Sequence, residues 1–197
     1  HATGRFQRFT PAAYFLIGNM EGHSFVTYDL KDTAGNVVPF DPLAYPTYDA
    51  LTASYDTLEK AQGALDFKKK DVTDDLRTVT ADFLIDHIDY AFRAWRERPW
   101  AKHLTFDQFC RYVLPYRGSN EPLENWRPVF WDKYADLPAK MTDSTDPIEA
   151  AKLINKDIMT WFGFDPRYYF HPTDQGMTEM MAKGKGRCED MTNLTIF

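Results

Sequence analysis

Apolar positions are ordered very differently in the two parts of this chain. From Thr47 onward they recur at threes and fours, the period of a helix with one buried face. Tyr48, Leu51, Tyr55, Leu58 and Leu65 predict a helix from Thr47 to Leu65. Lys68-Lys69-Lys70 then reads as a solvated face. Asp74 opens the strongest pattern, with Leu76, Val79, Phe83, Ile88, Ala91 and Trp95 in one stripe that stops before Pro99. Thr105 and Gln108 have the spacing of a capping box, ahead of a helix carrying Phe106, Phe109, Cys110 and Val113 to Leu114. Residues 115–122 form a loop by composition. Val129, Phe130, Tyr134 and Leu137 predict a helix from Trp126 to Leu137, and Ile148, Ala151, Ile154, Ile158 and Trp161 another from Pro147 to Phe162. Tyr168 to Pro172 reads as extended, and Met177 to Met181 as a short helix.

Before Thr47 the order is weaker. Thr10 and Pro11 offer a cap and a first-turn proline for a helix through Tyr14, Phe15, Leu16 and Ile17 to Gly18. Phe25, Val26, Val37 and Val38 predict a short hairpin across Asp32–Asn36, and prolines 39, 42 and 46 an extended connector. The expectation is a mainly α, single domain: an irregular N-terminal lobe over 1–46, a helical body over 47–183, and the start of a further helix over 184–197.

Composition narrows the function classes. The 197 residues suffice for a sizeable core, and five Trp, eleven Tyr and fifteen Phe supply much burial per side chain. Net charge is −6 with both signs interspersed, so no basic patch points to nucleic acid. No run approaches the ~20 apolar residues that span a bilayer. The five histidines are scattered without His-x-x-x-His or Cys-x-x-Cys spacing, so neither a metal nor a cofactor is expected. His87, on the edge of the long stripe, reads as a hydrogen-bonded core residue.

The chemistry concentrates in Gly184-Lys185-Gly186-Arg187-Cys188-Glu189-Asp190, followed by Met191, Leu194 and Phe197 at helical spacing. Cys188 would occupy the first turn of that helix, where unpaired N–H groups and the macrodipole favour an anion. Thiolate is the nucleophilic form of cysteine, and a helix start is one of the environments that promote it. Arg187 adds positive potential; Glu189 and Asp190 oppose it. Cys110 falls on an apolar helix face and reads as core. Two free thiols are expected, since a Cys110–Cys188 disulfide would disable the nucleophile.

Gly-Arg-Cys-Glu-Asp-Met-Thr-Asn-Leu resembles the nucleophile segment of the transglutaminase-like superfamily. Phe83 to Phe92, Leu104 to Cys110, Leu114-Pro115-Tyr116-Arg117 and Glu121-x-x-x-x-Trp126-Arg127 look like the helical region ahead of that cysteine in large secreted bacterial members. The resemblance covers the chain from about Ala12. It implies the helical N-terminal part of a papain-like α+β enzyme, truncated before its β-sheet, in the periplasm or outside the cell. It also implies a peptide or protein amide substrate, glycan-linked ones included. Family members carry their histidine and aspartate well downstream of the cysteine, while this chain opens at His1 and closes at Phe197 inside an apolar run. The sequence therefore reads as a piece of a larger protein, inactive alone, whose partner is the remainder of the polypeptide.

Within that reading Cys188 is the nucleophile, and its backbone N–H an oxyanion donor. Gln175 and Trp161 are candidates for a second donor. Arg117, Glu121, Trp126 and Arg127 form either a wall of the substrate cleft or a rigid structural loop. The competing reading is a non-catalytic helical binding or scaffold module of a larger secreted protein.

Overall fold

The computed structural model describes residues 2–197, with side chains from Phe9 onward. Helix α1 spans Ala2–Gly18 and runs through Pro11 rather than starting beside it; the proline removes one backbone donor without ending the helix. Strand β1 (Ser24–Lys31) follows. The N-terminal lobe, expected to hold a helix up to Gly18 and a short hairpin, thus carries that helix, begun earlier, and strand β1.

The predicted hairpin forms only its turn. Asp32 closes it by accepting from the Ala34 N–H (2.9 Å), the Asn36 N–H (2.8 Å) and Asn36 Nδ2 (2.9 Å). Val37 then makes a single bridge to Lys31, and Pro39, which has no N–H for a ladder, follows at once. The partner of β1 comes from beyond helix α2 (Tyr48–Gln62), which is capped by the Thr47 hydroxyl. This helix stops short of Leu65 because Gly63 turns to φ +83°. Strand β2 (Asp66–Asp74) then pairs antiparallel with β1, from Lys31 opposite Asp66 to Ser24 opposite Asp74. Its lysines 68–70 are exposed, as expected of a solvated face, but they lie on a strand. Leu30, Val38 and Leu65 form a small core beneath, with Tyr55 and Phe67.

The long predicted helix is divided. One turn, α3 (Asp75–Thr78), ends at Val79, and α4 (Ala81–Glu97) begins afresh where the Thr80 hydroxyl accepts from the Phe83 N–H at 3.2 Å. Helix α5 (Phe106–Tyr112) has the expected reciprocal cap: Gln108 N–H donates to Thr105 Oγ1 (3.3 Å) and Thr105 N–H to Gln108 Oε1 (2.9 Å). Thr105→Ala should cost about 1 kcal/mol and lower the melting temperature by roughly 2–4 °C in a calorimetric scan. The main core lies among α1, α4 and α5, where Phe92, Trp95 and Phe109 stack around Ala12, Leu16, Ile88 and Ala91.

Helix α6 (Trp126–Lys133), the turn α7 (Leu137–Lys140) and helix α8 (Pro147–Trp161) follow. Tyr168 to Pro172, expected to be extended, is replaced by a 3-10 turn over Pro166–Phe170, because Asp165 caps it by accepting from the Arg167 N–H at 3.0 Å. Between them lies the two-residue strand β3 (Gly163–Phe164). Helix α9 (Met177–Lys183), strand β4 (Lys185–Gly186) and helix α10 (Cys188–Ile196) complete the chain. Trp126, Phe130, Ile158, Phe162, Met180 and Leu194 form the core of this half. The architecture is mainly α. No helix among the described residues is long and apolar enough to cross a membrane.

Candidate active site

The start of α10 is built by backbone first. Gly184, left-handed at φ +62°, ends α9 and turns the chain into β4. There β4 pairs parallel with β3, Gly163 N–H donating to Gly184 O and Asp165 N–H to Gly186 O, both at 2.9 Å. Gly186 passes so close to its neighbours that a Cβ would sit 2.5 Å from Asp190 Oδ2, 2.6 Å from Gln175 Nε2 and 2.7 Å from the Phe162 ring. Only glycine lets the strand pass.

Asp190, in the first turn of α10, is buried and collects three donors: the Arg187 N–H (2.8 Å), the Gln175 N–H (3.2 Å) and Gln175 Nε2 (3.0 Å). The Arg187 guanidinium pairs with Asp174 and lies 3.5 Å from Glu189. These contacts fix the helix start from below, and Cys188, the first residue of α10, is left exposed above it. Its Sγ lies 3.6 Å from the Tyr169 hydroxyl. That contact raises the Tyr169 hydroxyl above its ordinary value, and either the hydroxyl or the thiol can be the donor. Tyr169 packs edge-to-face on Phe164, and both rings are about half exposed. Nothing in the sequence marked Tyr169: it is 19 positions from Cys188 and meets it only because the 3-10 turn folds back.

Gln175 and Trp161 sit differently from their expected role. The two hydrogens of Gln175 Nε2 go to Lys185 O and Asp190 Oδ2, both at 3.0 Å, and the side chain is fully buried. It therefore braces the helix start, with no N–H left for an oxyanion. The Trp161 indole N–H donates to Asp157 Oδ2 at 3.1 Å, with the Lys133 ammonium over its ring. The donors that remain are the first-turn amides of α10, which have no intrahelical acceptor.

The 115–122 loop is pinned from inside. Arg117 binds Asp75 through two bonds of 2.5 Å and also donates to Glu121 O. The Tyr116 hydroxyl donates to Asp75 at 2.9 Å and lies 3.3 Å from His23 Nδ1. The Glu121 carboxylate accepts from the Gly118 and Ser119 N–H groups at 2.8 and 2.6 Å. Ser119 Oγ reaches Glu189 at 3.2 Å, the loop's hydrogen bond to the cysteine-bearing turn. The Trp126 indole donates to Tyr116 O at 3.1 Å. Arg117, Glu121 and Trp126 thus use their polar groups to pin the loop, and Arg127, which also donates to Pro115 O, lines a separate cavity together with the Trp126 ring.

His87 is buried, with Nε2 2.7 Å from Leu114 O; that donation leaves Nδ1 to accept from Arg127 Nε at 3.2 Å. Burial and then the Arg127 charge hold His87 well below its usual value, so it is neutral. Cys110 is buried, and burial followed by Asp107 raises its thiol. Among the described residues, no histidine hydrogen-bonds to Cys188 and no group of three or more His, Cys, Asp or Glu could hold a metal ion. No family model, curated protein or solved structure matches the chain.

Proposed function

We propose that Cys188 is the nucleophile of a cysteine-dependent acyl-transfer site of the transglutaminase-like kind, acting on amide bonds of peptides or proteins. The observation that carries this reading is an exposed thiol as the first residue of a helix whose start is braced by Asp190, Gln175 and Arg187. A braced helix start is an expensive arrangement for a merely structural cysteine, which would be buried instead.

In the proposed reaction Cys188 Sγ, as thiolate, attacks the amide carbonyl carbon and forms the C–S bond. The first-turn amides of α10 receive the developing oxyanion. The C–N bond then breaks, the amine leaves with a proton from a general acid, and water or another amine resolves the thioester. The Tyr169 hydroxyl holds the sulfur by hydrogen bonding. This reaction requires an imidazole base and its carboxylate partner from outside these residues, and the chain by itself should turn over no substrate. A periplasmic or extracellular setting belongs to the same proposal.

Iodoacetamide labelling at neutral pH, read by mass spectrometry, tests the assignment. Cys188 should label at least about tenfold faster than the buried Cys110 in the folded chain, and equally fast in urea. Equal rates in the native state would sink the nucleophile. Turnover of a glutamine or peptide amide by the pure chain, lost in Cys188→Ala, would overturn the requirement for an outside base.

A further inference from the structure

A second concavity lies away from Cys188, between α4, α6, α8 and the last turn of α10, with a volume of about 340 Å³. Its wall is aromatic: Trp100, Trp126, Trp131 and Phe130 face it, together with Arg98 and Arg127. This is within the size range of small-molecule sites, which are mostly apolar with a few converging polar groups.

The two arginines are the unusual feature. Arg127 is more than nine-tenths buried, yet every acceptor it uses is neutral: His87 Nδ1 for Nε, and the Val113 and Pro115 carbonyls for Nη2. Its guanidinium lies 4.4 Å over the Trp126 ring, and Nη1 makes no hydrogen bond to any described residue. A buried cation without an anion is costly, and proteins normally pair it. Burial alone pushes this guanidinium down to about 9, so it remains charged at neutral pH. Arg98 is likewise committed only to carbonyls, those of Trp131 (3.0 Å) and Ala135 (3.4 Å), with its guanidinium 4.0 Å from the Trp131 ring centre. Among the described residues neither arginine forms an ion pair; the Glu97 charge acts on Arg98 from nearby, and for Arg127 burial acts alone. The cavity therefore combines aromatic walls with the uncompensated positive charge of Arg127 and the carbonyl-bound guanidinium of Arg98.

We infer that this cavity binds a small carboxylate carried on an aromatic body, with Arg127 and Arg98 receiving the carboxylate and the indoles receiving the ring. Guanidinium suits this task because it forms paired hydrogen bonds to a carboxylate while remaining stacked on an aromatic face. The inference is independent of the role given to Cys188.

Isothermal titration with 2-naphthylacetate and with 2-naphthaleneethanol, the same body without the charge, tests it. The acid should bind at least tenfold more tightly than the alcohol. Arg127→Met removes the unpaired cation and should bring that ratio to about twofold or less while the alcohol still binds. Arg98→Gln, at a more open position, should lower the ratio about threefold or more and covers the case in which Arg127→Met does not fold. Equal affinity for acid and alcohol, no acid binding at millimolar concentration, or an unchanged ratio in a folded Arg127→Met or Arg98→Gln variant would overturn the inference. So would sedimentation showing a dimer that must dissociate before the acid binds, or loss of binding in a longer natural chain containing these residues. Either result would assign the cavity to packing between polypeptide segments.

Discussion

Arg117→Met should destabilise the chain by about 3–5 kcal/mol, a large share of the ~5–15 kcal/mol that holds a typical domain together. The reason is the carboxylate left behind. Asp75 has no exposed surface, and Arg117 supplies two of its three hydrogen bonds. Burial by itself would raise the Asp75 carboxyl, but the hydrogen bonds from Arg117 and Tyr116 outweigh it and hold it below the usual range. Without Arg117 the desolvation remains, opposed by one tyrosine hydrogen bond and by His23 nearby. Asp75→Leu combined with Arg117→Met should recover much of the loss, because removing both charges leaves no buried ion unpaired and only the Tyr116 hydroxyl and Glu121 O lose a partner.

The same pair sets a pH signature. A carboxyl depressed in the folded state contributes stability that is present above its unfolded value, about 4, and is lost as pH falls through the folded one. Urea unfolding should therefore show a larger gap between the native chain and Arg117→Met at pH 7 than in acid. The gap should shrink as the pH falls toward about 4, where the raised carboxyl of the variant protonates, and further below that, where the native one does. A loss under about 1 kcal/mol at pH 7, or a gap that widens in acid, would remove Asp75–Arg117 from its place as the anchor of the 115–122 loop.

How far these features are legible in the sequence depends on whether they are local. The reciprocal cap of α5 is readable because Thr105 and Gln108 are three positions apart and satisfy each other. Helix α8 is equally local, with Asp146 capping Pro147–Trp161 and apolar side chains on one face. Strand β2 is not legible, since Asp-Phe-Lys-Lys-Lys-Asp-Val-Thr-Asp lacks an apolar alternation and its strand partner β1 lies across α2. Lysines on an open strand protect its edge, so the residues that hid the strand also suit its position. The break between α3 and α4 hides for another reason. Leu76 and Val79 keep the helical spacing, but the Thr80 hydroxyl captures the Phe83 N–H and restarts the helix.

The candidate site divides in the same way. Cys188 in the first turn of α10 follows from the glycines ahead of it and the apolar spacing behind it. Tyr169 and the brace by Gln175 depend on distant segments meeting, as do the pairing of Arg117 with Asp75 over 42 positions and the separation of Arg127 from the carboxylates of the described residues. Sequence marks Gln175 and Arg127 as notable but leaves their partners open; tertiary packing supplies those partners.

Gly186→Ala should cost about 2–3 kcal/mol and disorganise the start of α10, whereas Gly163→Ala, on the facing strand of the same two-residue ladder, should be neutral within about 0.5 kcal/mol. An alanine Cβ at 163 would meet no atom within 4 Å. At 186 it would meet a carboxylate oxygen, an amide nitrogen and a ring carbon, all closer than 3.0 Å, and none of the three can retreat freely. Asp190 and Gln175 are buried and hydrogen-bonded to each other, and the Phe162 ring is part of the core of that half. Relief requires Asp190 to swing away, which would unpair the Arg187 N–H and the Gln175 amide together and leave buried donors unsatisfied. The helix start would then lose its brace, and with it the fixed placement of Cys188 against Tyr169. Two readouts follow from one substitution: the urea midpoint should fall, and the native-state alkylation rate of Cys188 should converge on its rate in the unfolded chain. Gly163→Ala should leave both unchanged, which separates the effect from a general intolerance of side chains in the ladder. A Gly186→Ala chain as stable as the parent, with Cys188 labelling at the parental rate, would mean that the Asp190–Gln175 brace does not position the thiol.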